Sequence, residues 1–137
     1  MDDRIGYMLR RVQAALRVRM DEVLGPHRLT TPQYAVLQSL EREGGISSAE
    51  LARRAFVTPQ TMVQIVENLE GRGLLSRHPH PSHGRIRPAS LTTRGARLVS
   101  GCHAGVAGLE QRMLADLGEE QRRQLLDLLV KCAVALG

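Results

Sequence analysis

The stretch Ser47-Ser48-Ala49-Glu50-Leu51-Ala52-Arg53-Arg54-Ala55-Phe56-Val57-Thr58-Pro59-Gln60-Thr61-Met62-Val63-Gln64-Ile65-Val66-Glu67-Asn68-Leu69-Glu70-Gly71-Arg72-Gly73 holds two helix starts joined by one tight connection. Ser47 with Glu50 three residues on is a capping box, in which hydroxyl and carboxylate satisfy each other's backbone amides. It opens a short helix through about Arg54. Thr58-Pro59 is a second start: threonine caps the free amides, and the missing proline N–H costs nothing in the first turn. This second helix runs to about Arg72, where Gly71 and Gly73 stop it. Ala55-Phe56-Val57 leaves room only for a turn. Two helices spaced this way form a helix-turn-helix, whose second member offers its N-terminal end to a DNA major groove.

In that helix Met62, Val63, Val66 and Leu69 are the expected inward stripe, which leaves Gln60, Thr61, Gln64 and Asn68 nearer the outer face. Gln60 and Gln64 suit adenine edges, and Thr61 offers a hydroxyl and a methyl group. Ser48 and Thr58, at the two helix starts, are candidate phosphate holders.

Leu74-Leu75-Ser76-Arg77 then reads as a strand, Pro79 to Gly84 as a turn, and Arg85 to Leu91 as a returning strand that Pro88 confines to an edge. Arg77 and Arg87 on this hairpin are candidate phosphate contacts. Upstream, Thr31 caps a helix with Pro32 at its first position and Gly44-Gly45 at its end. Before it, Ile5, Leu9, Val12, Leu16, Met20 and Val23 mark a long first helix ending near Gly25-Pro26. Downstream, Thr92-Thr93 opens a helix striped by Leu98, Cys102, Val106, Leu109 and Met113. A last helix begins at Gly118-Glu119-Glu120, with Leu125, Leu128, Leu129, Cys132 and Leu136 as its stripe. The fold class is therefore mainly α with a small β-hairpin wing. One domain spans 1–137: a winged helix-turn-helix over 31–91, flanked by dimerisation helices over 1–30 and 92–137. The three terminal helices carry more apolar surface than the middle module can cover, so a homodimer is expected.

Composition agrees with that reading. A chain of 137 residues, 42% of them hydrophobic, can build one core, and its 2% aromatic content leaves no platform for stacking single-stranded bases. The net charge is +5, and every basic residue but Lys131 is arginine. Between 46 and 91 six basic residues face three acidic ones, while the flanks are near balance, so the cationic excess falls on the helix-turn-helix and its wing. No apolar run is long enough to span a bilayer and charges interrupt the N-terminus, so no membrane partner and a cytoplasmic location are expected. Cys102 and Cys132 lie in apolar stripes, where they read as small core residues with no disulfide.

The segments Leu29-Thr30-Thr31-Pro32-Gln33-Tyr34-Ala35-Val36-Leu37, Ser48-Ala49-Glu50-Leu51-Ala52, Thr58-Pro59-Gln60-Thr61, Leu69-Glu70-Gly71-Arg72-Gly73-Leu74-Leu75 and Leu91-Thr92-Thr93-Arg94-Gly95 resemble the MarR (multiple antibiotic resistance regulator) family in order and spacing over nearly the whole chain. The resemblance implies a homodimeric transcriptional regulator, a repressor that leaves double-stranded DNA when a small molecule binds. It also implies an imperfect palindromic operator and an effector such as an aromatic or phenolic acid. Arg85 is carried over as the wing residue that reaches the minor groove or phosphates. The family's wing aspartates are here His80 and His83, which removes an internal ion pair and suggests pH sensitivity. For the effector the resemblance points to Arg10, with His27 and Tyr34 as further candidates.

Other classes fare less well. His78, His80 and His83 could hold a metal in a small enzyme, but Pro79 and Pro81 stiffen the run and no cysteine is near. No zinc-protease helix, phosphate-loop lysine or nucleophile elbow occurs, so no catalytic residue, metal or cofactor is expected. The remaining alternative is a winged-helix module that binds protein and not DNA. Salt separates the two, because phosphate contact weakens steeply with ionic strength.

Overall fold

The computed structural model describes residues 4–78 and 88–137. Six helices and two short strands follow in order: α1 (Ile5–Leu24), α2 (Thr31–Arg42), α3 (Ser48–Ala55), α4 (Pro59–Gly71), β1 (Leu75–Arg77), β2 (Ala89–Leu91), α5 (Thr93–Met113) and α6 (Glu119–Leu136). A single 3₁₀ turn over Gly25–His27 joins α1 to α2. The mainly α architecture with an antiparallel hairpin is the expected one. The turn expected at Pro79 to Gly84, and Arg85 to Arg87 of the returning strand, lie outside the described residues.

Two compact units divide within α5, at Met1–Ala104 and Gly105–Gly137. The first takes in the described residues of the 31–91 segment together with α1 and half of α5. Its core is aliphatic: Leu24, Leu37, Leu51, Met62, Leu69 and Leu75 are among its fully buried side chains. Each such leucine stabilises the fold by about 1.5–3 kcal/mol over its exposed state. In the second unit the Arg122 guanidinium ties the helix ends together, donating to the carbonyls of Leu114 and Leu117 and to Gln111 Oε1.

The caps explain where the helices begin, and one differs from expectation. Thr30, not Thr31, caps α2: its Oγ1 accepts from Gln33 N at 3.3 Å while Gln33 Oε1 accepts from Thr30 N at 3.0 Å. This reciprocal box satisfies two amides, whereas the Thr31 hydroxyl is buried with no partner. Ser47 caps α3 as expected, but the Glu50 carboxylate turns to Arg53 and Arg54. Hydrogen bonds from Arg53, then from Arg54, hold the Glu50 carboxyl below its ordinary range. Thr58 caps α4 and Thr92 Oγ1 accepts from Gly95 N at the start of α5.

The hairpin pairs Leu75 with Leu91, Ser76 with Ser90 and Arg77 with Ala89. A bridge from Ile46 to Ala89 adds a third backbone segment, with Gly45 N donating to Ala89 O and Ala89 N to Ile46 O, each at 2.9 Å. At the other end of the hairpin, Thr92 Oγ1 donates to Gly73 O at 2.6 Å, and Thr92 N donates to Leu74 O. Gly95 completes this clamp: a Cβ there would run into the Leu74 carbonyl, lying 2.9 Å from its carbon.

Several expected inward residues are not inward. Val63 is 44% exposed, because 62, 65, 66 and 69 share one helical face and 63 is turned from it; Ile65 is half-buried in its place. In α5, Val99 is buried beside the expected Cys102 and Leu109. Every residue of the expected α6 stripe is exposed, Cys132 included, so that thiol is not a core residue within the chain. Ile5, Leu9 and Val12 of α1 are likewise exposed, and α1 is covered only from about Leu16 onward. Among the described residues no helix is long and apolar enough to cross a membrane.

Candidate nucleic-acid interface and effector region

The connection between α3 and α4 is tight because one residue adopts left-handed backbone. Phe56 caps α3 at φ 57°, its N–H bonding back into the helix, and Val57 N donates to Ala52 O. A phenylalanine at positive φ is uncommon, and its ring is 95% exposed. Sequence reading missed this residue, since the usual signal for such a position is glycine or asparagine.

Beyond the turn, Met62, Val66 and Leu69 anchor α4 in the core, which fixes the rotation of the helix and sends Gln60, Thr61 and Gln64 outward, all exposed. The Thr58 and Thr61 hydroxyls are 3.0 Å apart, and Thr58 Oγ1 also accepts from Thr61 N. Thr58 is thus held by its own cap. Ser48 sits half-buried at the first turn of α3. Asn68 is on the same exposed side, yet its Oδ1 accepts from Gln33 Nε2 at 3.2 Å and ties α4 to α2.

The hairpin arginine has a different setting from the helix residues. Arg77 Nη2 lies 2.8 Å from Glu70 Oε1, so β1 is strapped to the last turns of α4. This hydrogen bond raises the Arg77 pKa above its already high value, with burial opposing. His78 N donates to Pro88 O, and its Nε2 is 3.4 Å from Ser76 Oγ. His80, His83, Arg85 and Arg87 lie outside the described residues. Among those described, no three His, Cys, Asp or Glu side chains are grouped to hold a metal.

The three effector candidates fall in different surroundings. Arg10 is exposed on α1, its guanidinium lying back toward Gly6 one turn earlier. Tyr34 is buried in α2, 4% exposed, with its hydroxyl 3.0 Å from His103 Nδ1. The other ring nitrogen of His103 is 2.7 Å from Glu41 Oε1. His27 lines a cleft that takes in neither Arg10 nor Tyr34.

The family model described as MarR family matches residues 28–86. The HTH-type transcriptional repressor Rv2887 of Mycobacterium tuberculosis is 42% identical over 130 residues, covering 95% of this chain and 94% of its own. The chain belongs to the MarR family. Among solved structures, Mycobacterium tuberculosis Rv2887 in complex with salicylic acid has a TM-score of 0.76 at 41% identity, covering 96% of this chain and 97% of that one. The transcriptional repressor CouR bound to a 23-mer DNA duplex has a TM-score of 0.87 at 30% identity, covering 96% and 93%. The MarR segments quoted from the sequence are those that build the described fold. Leu91-Thr92-Thr93-Arg94-Gly95 clamps the turn after α4, and Thr58-Pro59-Gln60-Thr61 starts the helix that faces outward.

Proposed function

We propose that this MarR-family chain is a homodimeric, cytoplasmic transcriptional repressor whose α4 reads an imperfect palindrome in double-stranded DNA and which a small aromatic acid releases. One observation carries the reading: Met62, Val66 and Leu69 are locked in the core, so Gln60, Thr61 and Gln64 stand together and exposed at the N-terminal end of α4. A relative that is a repressor and aligns over nearly the whole of both chains, and structural neighbours bound to a DNA duplex and to salicylic acid, support it.

Pairing is supported by the apolar residues of α1 and α6 that are exposed among the described residues. In a dimer two copies of α4 would enter successive major grooves about 34–36 Å apart. Ser48 and Thr58 would hold phosphates beside the groove, with Arg85 and Arg87 reaching the backbone from the wing. Arg10, His27 and Tyr34 remain the effector candidates. A ligand releases DNA only to the extent that it binds the DNA-incompetent state better.

Fluorescence-anisotropy titration against the DNA flanking the protein's own gene and against a scrambled duplex, each at two salt concentrations, tests this reading. Tight, sequence-dependent binding that weakens with salt is expected. Binding to neither duplex at low salt would overturn it in favour of a protein-binding winged helix.

A further inference from the structure

Four arginines meet in one cleft of about 650 Å³ on the first compact unit. Arg28 comes from the turn after α1, Arg72 from the end of α4, and Arg94 and Arg97 from the first turns of α5, with His27 beside them. Arg72 caps α4, and its Nη1 donates to Arg28 O at 2.9 Å, which holds two of the four together. Arg94 lies against Gly73, whose positive φ turns the chain out of α4; a Cβ there would sit 3.9 Å from Arg94 Nη1. Leu74 and Leu98 supply apolar wall.

Among the described residues no aspartate or glutamate lines this cleft, and no carboxylate pairs with any of the four guanidinium groups. Elsewhere on the same unit four arginines are neutralised by neighbouring carboxylates: Arg19 by Glu22, Arg53 and Arg54 by Glu50, Arg77 by Glu70. The nearest acid in sequence to Arg72, Glu70, is thus already engaged. Like charges held together by backbone geometry repel until an anion enters, and arginine forks match carboxylate and phosphate oxygens in pairs. The volume is in the range of small-molecule sites.

We infer that this cleft is a binding site for a small polyvalent oxyanion, a molecule carrying two or more carboxylate or phosphate groups, bridging the end of α4 to the start of α5. One anionic group would leave most of the charge uncompensated, and the two leucines leave room for a short carbon skeleton. The site is distinct from Arg10 and Tyr34, and it stands apart from the DNA-reading role of α4 because anion binding is read in the absence of DNA.

Isothermal titration calorimetry of the full chain with pyrophosphate and with citrate, at ionic strength matched by potassium chloride, tests the inference. Saturable binding of at least one probe, one per chain, is expected, and the pyrophosphate and citrate arms tell phosphate from carboxylate chemistry. The double variant Arg94→Gln, Arg97→Gln should weaken that binding tenfold or more with an unchanged or higher melting temperature. The charge-matched control Arg19→Gln, Arg123→Gln should bind as the parent does. Absence of saturable binding by both probes, or equal loss in the two double variants, would overturn the proposal. So would an anion-silent cleft whose Arg94→Gln, Arg97→Gln variant loses DNA affinity and salt dependence, since the occupant would then be a DNA phosphate.

Discussion

The Tyr34 hydroxyl lies 3.0 Å from His103 Nδ1, joining α2 to α5 across 69 residues of sequence. His103 Nε2 in turn lies 2.7 Å from Glu41, so α2 reaches the same imidazole twice. A neutral ring protonated on Nε2 satisfies both contacts: the phenol donates to Nδ1 and the ring donates to the carboxylate.

Replacing Tyr34 by Phe should therefore cost about 1 kcal/mol in urea unfolding near neutral pH, the usual worth of such a hydrogen bond. Burial raises the Tyr34 pKa above 10.0, with the negative charges of Cys102 and Glu41 adding and Arg42 opposing. A raised folded value means that the phenol's contribution is complete below pH 10.0 and is lost as pH climbs beyond it through the raised folded value. The stability gap between parent and Tyr34→Phe should accordingly narrow in alkali. A gap that stays constant or widens there would contradict the assignment. Cys102, raised by burial too, titrates in both proteins, so only its coupling to Tyr34 is left in the difference.

Arg77 is a strap before it is a DNA contact, because Glu70 already holds it. Arg77→Ala and Glu70→Ala should lower operator affinity by similar factors through the position of the hairpin. Their coupling in a double-mutant cycle of stability should be about 0.5–1 kcal/mol. The salt slope of DNA binding should match the parent in both; a slope reduced by about one in Arg77→Ala alone would make it a phosphate contact instead.

Gly95→Ala should destabilise the fold by about 3 kcal/mol or more, since the new methyl group meets the Leu74 carbonyl and the clamp from Thr92 to Gly73 must open. Gly71→Ala, where a Cβ meets nothing within 4 Å, should be neutral or stabilise by about 0.5 kcal/mol. Chemical denaturation of the two variants side by side gives the comparison.

The uncovered α6 face predicts that Leu126→Glu with Leu129→Glu weakens self-association by about 100-fold or more, because a dimer would have to bury unpaired charge. Sedimentation equilibrium reads this directly. An unchanged mass distribution would mean that the second subunit packs elsewhere.

Local chemistry made the element order legible in the sequence. Thr58-Pro59, Ser47 and Thr92 cap the helices they were expected to cap, and the hairpin follows Gly73 as expected. The start of α2 was misread by one residue because Thr30 and Thr31 are equally good caps, and only the side-chain reach of Gln33 separates them. Non-local contacts were not legible. The bridge from Ile46 to Ala89 and the joining of Tyr34, His103 and Glu41 depend on tertiary approach that no spacing reveals. The cleft arginines come from three separate elements, so composition showed their charge without their convergence. For α6 the helix itself was legible, but its apolar period says only that a face needs covering and not which chain covers it.

In the proposed function, exposed side chains on the first turns of α4 read base edges. The most direct measurement compares the parent with Gln64→Ala in anisotropy titrations against operator and scrambled duplexes at one salt concentration. Discrimination between the duplexes should fall by about 1–3 kcal/mol while scrambled-duplex affinity is unchanged. Equal discrimination by both proteins, or a parallel loss of affinity for both duplexes, would contradict it.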